Sequence, residues 1–236
     1  MDTTAPTEKA NGLATYLSVL TSPTAAFTQL ARTPMWGWAA VVGIALAIVS
    51  IIISMPELMK VAAVAQAAQL ATMPADQQAQ ARQTMAAAAG VTKVIIIVSW
   101  IIIPWIAWLI SALVYTIGAA ISGATARFSL AWVASVNVSI VAWVGAVVNA
   151  VILAARGPDA IASPIDAQTL PSLGMFFHGN VKLVSFLNAY NLDYIWLYIV
   201  AIIALERTLA MKRPAAIVTV FIYSLLTAAL AAAFAK

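Results

Sequence analysis

The sequence predicts an all-α polytopic integral membrane protein: a five-transmembrane-helix bundle with an N-terminal amphipathic interfacial helix. Three observations predict it. Of the 236 residues, 64% are hydrophobic and only 8% are charged, against about 25% charged residues in soluble domains. Mean hydropathy is +0.98. Five long apolar runs alternate with polar or proline-containing connections. A soluble fold of this length needs polar groups over its whole surface, and 12 Lys+Arg with 8 Asp+Glu cannot supply them.

Residues 1–12 are polar and read as a disordered tail, with no basic region and apolar core of the kind that makes a signal peptide. Residues 13–236 then form a single membrane domain. Leu13, Tyr16, Leu17 and Leu20 fall on one helical face. Ser22 is placed as an N-cap and Pro23 as a first helical residue, and Phe27 and Leu30 carry the apolar stripe on to Arg32. Residues 13–32 therefore read as two short helices, either lying at the membrane surface or packed as a stub on the spans.

The first span is expected at 35–55, entered by Trp36 and Trp38 and ended by Pro56; its length fits a hydrocarbon core of about 30 Å. Residues 57–90 are rich in alanine and glutamine. They read as a helical hairpin outside the core, with Pro74 starting its second helix and Gly90 ending it; the simplest role is that of an Ala-rich spacer. The second span, 94–122, exceeds the bilayer thickness, so it tilts, protrudes or breaks, with Pro104 as the kink. Trp100, Trp105 and Trp108 would then mark the outer interface. The third span, 130–154, carries Ser135, Ser139, Ala142, Ala146 and Asn149 as one small and polar stripe, the kind of face that packs against other helices in lipid. A long connection follows, with a short lateral helix expected over Val181–Leu187. The fourth span is expected at 191–209 and the fifth at 215–234, joined by a basic turn at Lys212 and Arg213.

Five spans place the termini on opposite sides. Short connections obey the positive-inside rule, which puts the N-terminus in the cytoplasm and the C-terminus outside. Glu57, Asp76, Asp159, Asp166 and Asp193 then fall in outer segments. The chain has no cysteine and one histidine, His178, which excludes disulfides, thiolate metal sites and multi-histidine metal catalysis. No cofactor, metal site or nucleic-acid partner is expected. Ser122 lacks the glycine two residues earlier that rhomboid-type proteases carry, and Gly118 with Ser122 reads as a packing pair rather than part of an enzyme. No ionisable residue falls inside the first, second, third or fifth span, which argues against a pump or a coupled ion transporter.

Three pieces of the chain resemble the bacterial Yip1 (YIPF) family. One is Leu20-Thr21-Ser22-Pro23-Thr24-Ala25-Ala26-Phe27, similar to the family's opening Ser-Pro followed by Phe. The second is the order of an opening helix and five spans with two long outer connections. The third is Phe186-Leu187-Asn188 with Asp193-Tyr194-Ile195-Trp196 before the fourth span and its basic turn. The resemblance covers nearly the whole chain. The fourth span ends in Ala204-Leu205-Glu206-Arg207 where the family often has a glycine-rich segment, and the Asp-Leu-Tyr-Gly-Pro segment of eukaryotic members is absent, so their role in vesicle trafficking does not carry over. The resemblance implies a multi-pass protein of the bacterial inner (plasma) membrane. The expected function is a non-enzymatic scaffold or adaptor organising membrane lipids, a partner membrane protein or further copies of the chain. Its docking face would be Ser22, Pro23, Phe27, Arg32, Lys212 and Arg213. The alternative is a passive transporter of small solutes or lipids, with a path along the third span.

Overall fold

A computed structural model of the protein describes residues 11–177 and 179–235; most of the expected tail, with His178 and Lys236, lies outside them. The described chain is all-α, with one isolated antiparallel bridge between Ser172 and Asn191. Four helical stretches are long and apolar enough to cross a membrane: Gly37–Ala71, Gly90–Ile121, Phe128–Arg156 and Arg213–Phe234. The fourth expected span is the shorter helix α9, Leu192–Thr208. Its 17 residues rise about 26 Å, at the lower limit for crossing a ~30 Å core.

The tail ends earlier than expected, because Asn11 caps α1 (Gly12–Thr21) by accepting hydrogen bonds from the amides of Leu13 and Ala14. In α2 (Pro23–Arg32), Pro23 occupies the first turn as expected, but the Ser22 side chain makes no capping hydrogen bond. The first expected span does not stop at Pro56. Helix α3 runs through it from Gly37 to Ala71. A membrane helix tolerates an internal proline where neighbouring groups or local adjustments compensate for the missing N–H. Helix α4 (Ala75–Ala87) opens directly after Pro74. Gly90 does not end it: α5 starts at Ala89 and runs to Ile121 through Pro104. Backbone hydrogen bonds from Ala88 to Thr84 and from Thr92 to Ala88 carry the helical pattern almost without interruption across this junction.

The third expected span is two helices, α6 (Phe128–Val138) and α7 (Ile140–Arg156), separated at Ser139. The Ser139 hydroxyl donates to the Val136 carbonyl at 2.6 Å, a back-bond of the kind that loosens a helix. The long connection contains three short 3-10 turns (Pro158–Ala160, Pro164–Ala167, Leu173–Phe176) and then α8 (Val181–Asn188). Helix α10 (Arg213–Phe234) closes the fold.

These elements form two compact units, one of residues up to 42, 108–140 and 197–223, the other of residues 43–107, 141–196 and 224 onward. The first unit is built around α6, where all residues from Leu130 to Val138 except Trp132 are buried. A helix buried on nearly every side is a core helix, not a lipid-facing one. Helices α1 and α2 both pack against it, burying Tyr16, Val19, Phe27 and Leu30. Residues 12–32 thus form a helical pair packed on α6. Ser111 on α5 hydrogen-bonds Ser135, whose hydroxyl also reaches the Trp108 carbonyl at 3.0 Å.

Asn137 ties the start of the chain to this core. Its side-chain amide donates to the Met35 carbonyl and to the Val133 carbonyl, both at 2.9 Å. Asn137→Ala leaves the Met35 carbonyl without this donor. Such losses cost about 1–3 kcal/mol, and thermal unfolding in detergent should show a clearly lowered midpoint.

Trp108 is not an interfacial anchor. It is 3% exposed and meets Trp132 edge to face at 6.4 Å. Trp132 also meets Trp36 in a T-shaped pair at 6.0 Å; Trp108 is the buried ring of the three, while Trp36 is 41% exposed.

In the second unit, Gly43 on α3 lies so close to α7 that a Cβ there would be 2.6 Å from Nε1 of Trp143. The connection after α7 does not project freely. Asn149 accepts hydrogen bonds from the Thr169 amide at 2.8 Å and hydroxyl at 2.7 Å and donates to the Ala167 carbonyl at 3.1 Å. Asn149 is seven residues short of the end of α7, so residues 167–169 lie roughly 10 Å back along that helix. Backbone bonds from Leu173 to Tyr190 and from Leu192 to Pro171 close the loop onto the start of α9.

Candidate functional site

Two regions concentrate polar and charged groups. The first belongs to the unit around α6. Its described cations are Arg32, Arg127, Arg207, Lys212 and Arg213, all exposed, and its one described acid is Glu206. The amide of Thr125 donates to the Leu209 carbonyl at 3.0 Å, which joins the connection bearing Arg127 to the basic turn. That turn bends through Ala210, whose φ of 53° is left-handed, a conformation alanine adopts only at some cost. Arg213 approaches Glu206 at 3.9 Å with its own side chain 78% exposed; solvent screens such a pair, and its contribution to stability is small.

All six expected docking residues fall in this unit, but they divide in accessibility. Ser22, Arg32, Lys212 and Arg213 are exposed and Pro23 is half-buried. Phe27 is 0% exposed. Its ring belongs to the packing of α2 on the core, so it offers no surface to a partner. Tyr16 is equally buried beside it in α1; its hydroxyl lies next to Ser139 without a well-formed hydrogen bond. Burial pushes that phenol well above the ordinary tyrosine range, against a smaller opposing effect from Ser139.

The small and polar stripe is not one face of one helix, because the break at Ser139 interrupts it. Ser135 and Ser139 are buried in the α6 unit, and both hydroxyls are engaged with backbone carbonyls. Ala142, Ala146 and Asn149 are half-buried on α7. Ser122 is exposed and its hydroxyl donates to the Ala119 carbonyl at 3.0 Å. Gly118, its expected packing partner, instead meets the side chain of Thr219 on α10.

The second region lies in the other unit and contains two carboxylates that the sequence reading set in outer connections. Asp193, in the first turn of α9, rests against Gly145 of α7; a Cβ on that glycine would lie 2.8 Å from the Asp193 Cγ. Gly145 is eleven residues before the end of α7, roughly 16 Å along it. Asp193 Oδ1 is buried and makes no hydrogen bond among the described residues. Glu57 is 3% exposed. It follows Ser50 and Ser54 at i, i+4 and i+7 on one buried face of α3, and its Oε2 likewise finds no partner among the described residues. Sequence reasoning missed this face by ending the span at Pro56, although the spacing is visible in the sequence.

No family model, no curated protein and no solved structure matches this chain.

Proposed function

We propose that this is a non-enzymatic, Yip1-like multi-pass protein of the bacterial inner membrane, acting as a scaffold that engages anionic lipid headgroups or acidic segments of partner membrane proteins. The observation that carries this reading is the distribution of charge. Among the described residues, the unit around α6 has five cations and one acid, whereas the other unit has five of each. Cationic connections remain on the cytoplasmic side of a membrane, where anionic lipids attract them at ~1 kcal/mol per Lys or Arg near the surface. The docking surface in this reading is Arg32, Lys212 and Arg213, with Ser22 and Pro23 beside Arg32 in the same helical pair.

The reading places the N-terminus in the cytoplasm and the C-terminus outside, with α9 as a fifth span. The chain has no cysteine, so single cysteines can report the topology without background. Lys212→Cys should react with a membrane-impermeant maleimide only after cells are opened, and Asp76→Cys in spheroplasts without opening. The reverse pattern would overturn the orientation.

The functional test is the triple reversal Arg32→Glu, Lys212→Glu, Arg213→Glu. Anionic lipid and any stoichiometric protein recovered with the chain in mild detergent should fall several-fold, read by native mass spectrometry. Unchanged recovery would sink the proposal. A second reading, passive movement of a small solute or lipid, draws support from the polar flank of α7 at Asn149 and Asp193. It requires that bulky residues at Ala142 or Ala146 abolish flux in proteoliposomes without unfolding the protein.

A further inference from the structure

Helix α3 carries Ser50, Ser54 and Glu57 on a single buried face. The Ser50 hydroxyl donates to the Ala47 carbonyl at 2.8 Å, and the Ser54 hydroxyl donates to the Ser50 carbonyl at 2.8 Å. Each hydroxyl has therefore spent its one proton on its own helix, and what remains on it is lone pairs. One turn further, Glu57 adds a carboxylate whose Oε2 is buried and unpartnered among the described residues. The face thus offers the lone pairs of two hydroxyls and ends in a carboxylate.

A buried charge without compensation is among the least tolerable features of a protein interior. An ionisable residue in a membrane-crossing helix usually marks a site. Glu57 is twenty residues from the start of α3, about 30 Å along it, a distance comparable to the thickness of a hydrocarbon core.

We propose that this face is a binding site for a monovalent alkali cation, with Glu57 supplying the charge and the Ser54 hydroxyl a neutral oxygen. An all-oxygen donor set suits hard cations. The single carboxylate selects a single positive charge, since a divalent ion would leave a net charge of +1 in the same low-dielectric surroundings. The proposal is independent of the scaffold reading, which concerns the other unit.

The test is thermal unfolding of the full chain in one detergent, in sodium, potassium or choline chloride at equal ionic strength. Sodium or potassium should raise the wild-type midpoint by several degrees over choline, saturably, because a ligand bound only by the folded state stabilises it. Glu57→Gln keeps the shape and removes the charge; it should lose the response and, in choline, melt above the wild type. Ser54→Ala keeps the carboxylate and should raise the half-saturating cation concentration at least several-fold. A wild-type midpoint identical in all three salts overturns the proposal. So does a Glu57→Gln variant that responds like the wild type. Should Glu57→Gln fail to fold, an unshifted titration of Ser54→Ala overturns it equally.

Discussion

Phe27→Ala should lower the stability of the protein by about 3–5 kcal/mol, the range for removing a fully buried aromatic side chain. The ring is 0% exposed and lies in a helix of only ten residues. A helix that short is not stable by itself in water, so α2 persists through what it buries against α1 and α6. The loss should also be local. Arg32 is exposed at the end of α2, and trypsin should cut after it much faster in the variant than in the wild type, because the α1–α2 pair opens more often. Thr24→Ala, on the exposed face of the same helix, is the control and should leave both the unfolding midpoint and the cleavage rate nearly unchanged. Equal cleavage rates in Phe27→Ala and wild type would show that the pair is held by something other than this ring.

The second large effect is expected at Gly118. Any Cβ there would overlap the Thr219 side chain, and Thr219 is itself buried and stiff at χ1. Gly118→Ala should cost about 1–3 kcal/mol, as overpacking does in a well-filled core, and Gly118→Val more. Thr219→Ala should relieve the clash. A double-mutant cycle should therefore show a favourable coupling between the two substitutions, well beyond the additivity expected of distant sites. Additive effects would mean that the glycine is needed for backbone reasons alone.

The membrane class and most helix positions were legible in the sequence because a span must be a continuous apolar run, and such runs survive any tertiary context. What packs on what was less legible. Trp108 falls where an interfacial tryptophan would be expected, and nothing local signals that Trp132, on another helix, will enclose it. Pro56 is a reliable stop in a soluble helix, but in α3 it is passed, and stopping there hid the Ser50–Ser54–Glu57 face. Ser135 was readable as buried because its neighbours are small. Asn149 was not readable as the anchor of a loop, since its partner Thr169 sits in a segment without periodicity. Among the expected docking residues, the charged ones are exposed as charge requires, while Phe27 is consumed by the core, as its place on an apolar helical face implied.

The hydrogen bond from Asn137 to Met35 spans 102 residues of sequence, and it dictates an order of assembly. The helical pair at residues 12–32 leaves the ribosome before α6, the helix it packs against, which is synthesised about a hundred residues later. Until α6 arrives, the pair has no core to join, and its apolar stripe must be sheltered by the lipid surface or a chaperone. The apolar stripe that reads as a surface helix in the sequence is the same stripe that α6 covers once it has been made. A nascent chain arrested before Phe128 should expose Arg32 to protease, and one arrested well beyond Arg156 should protect it.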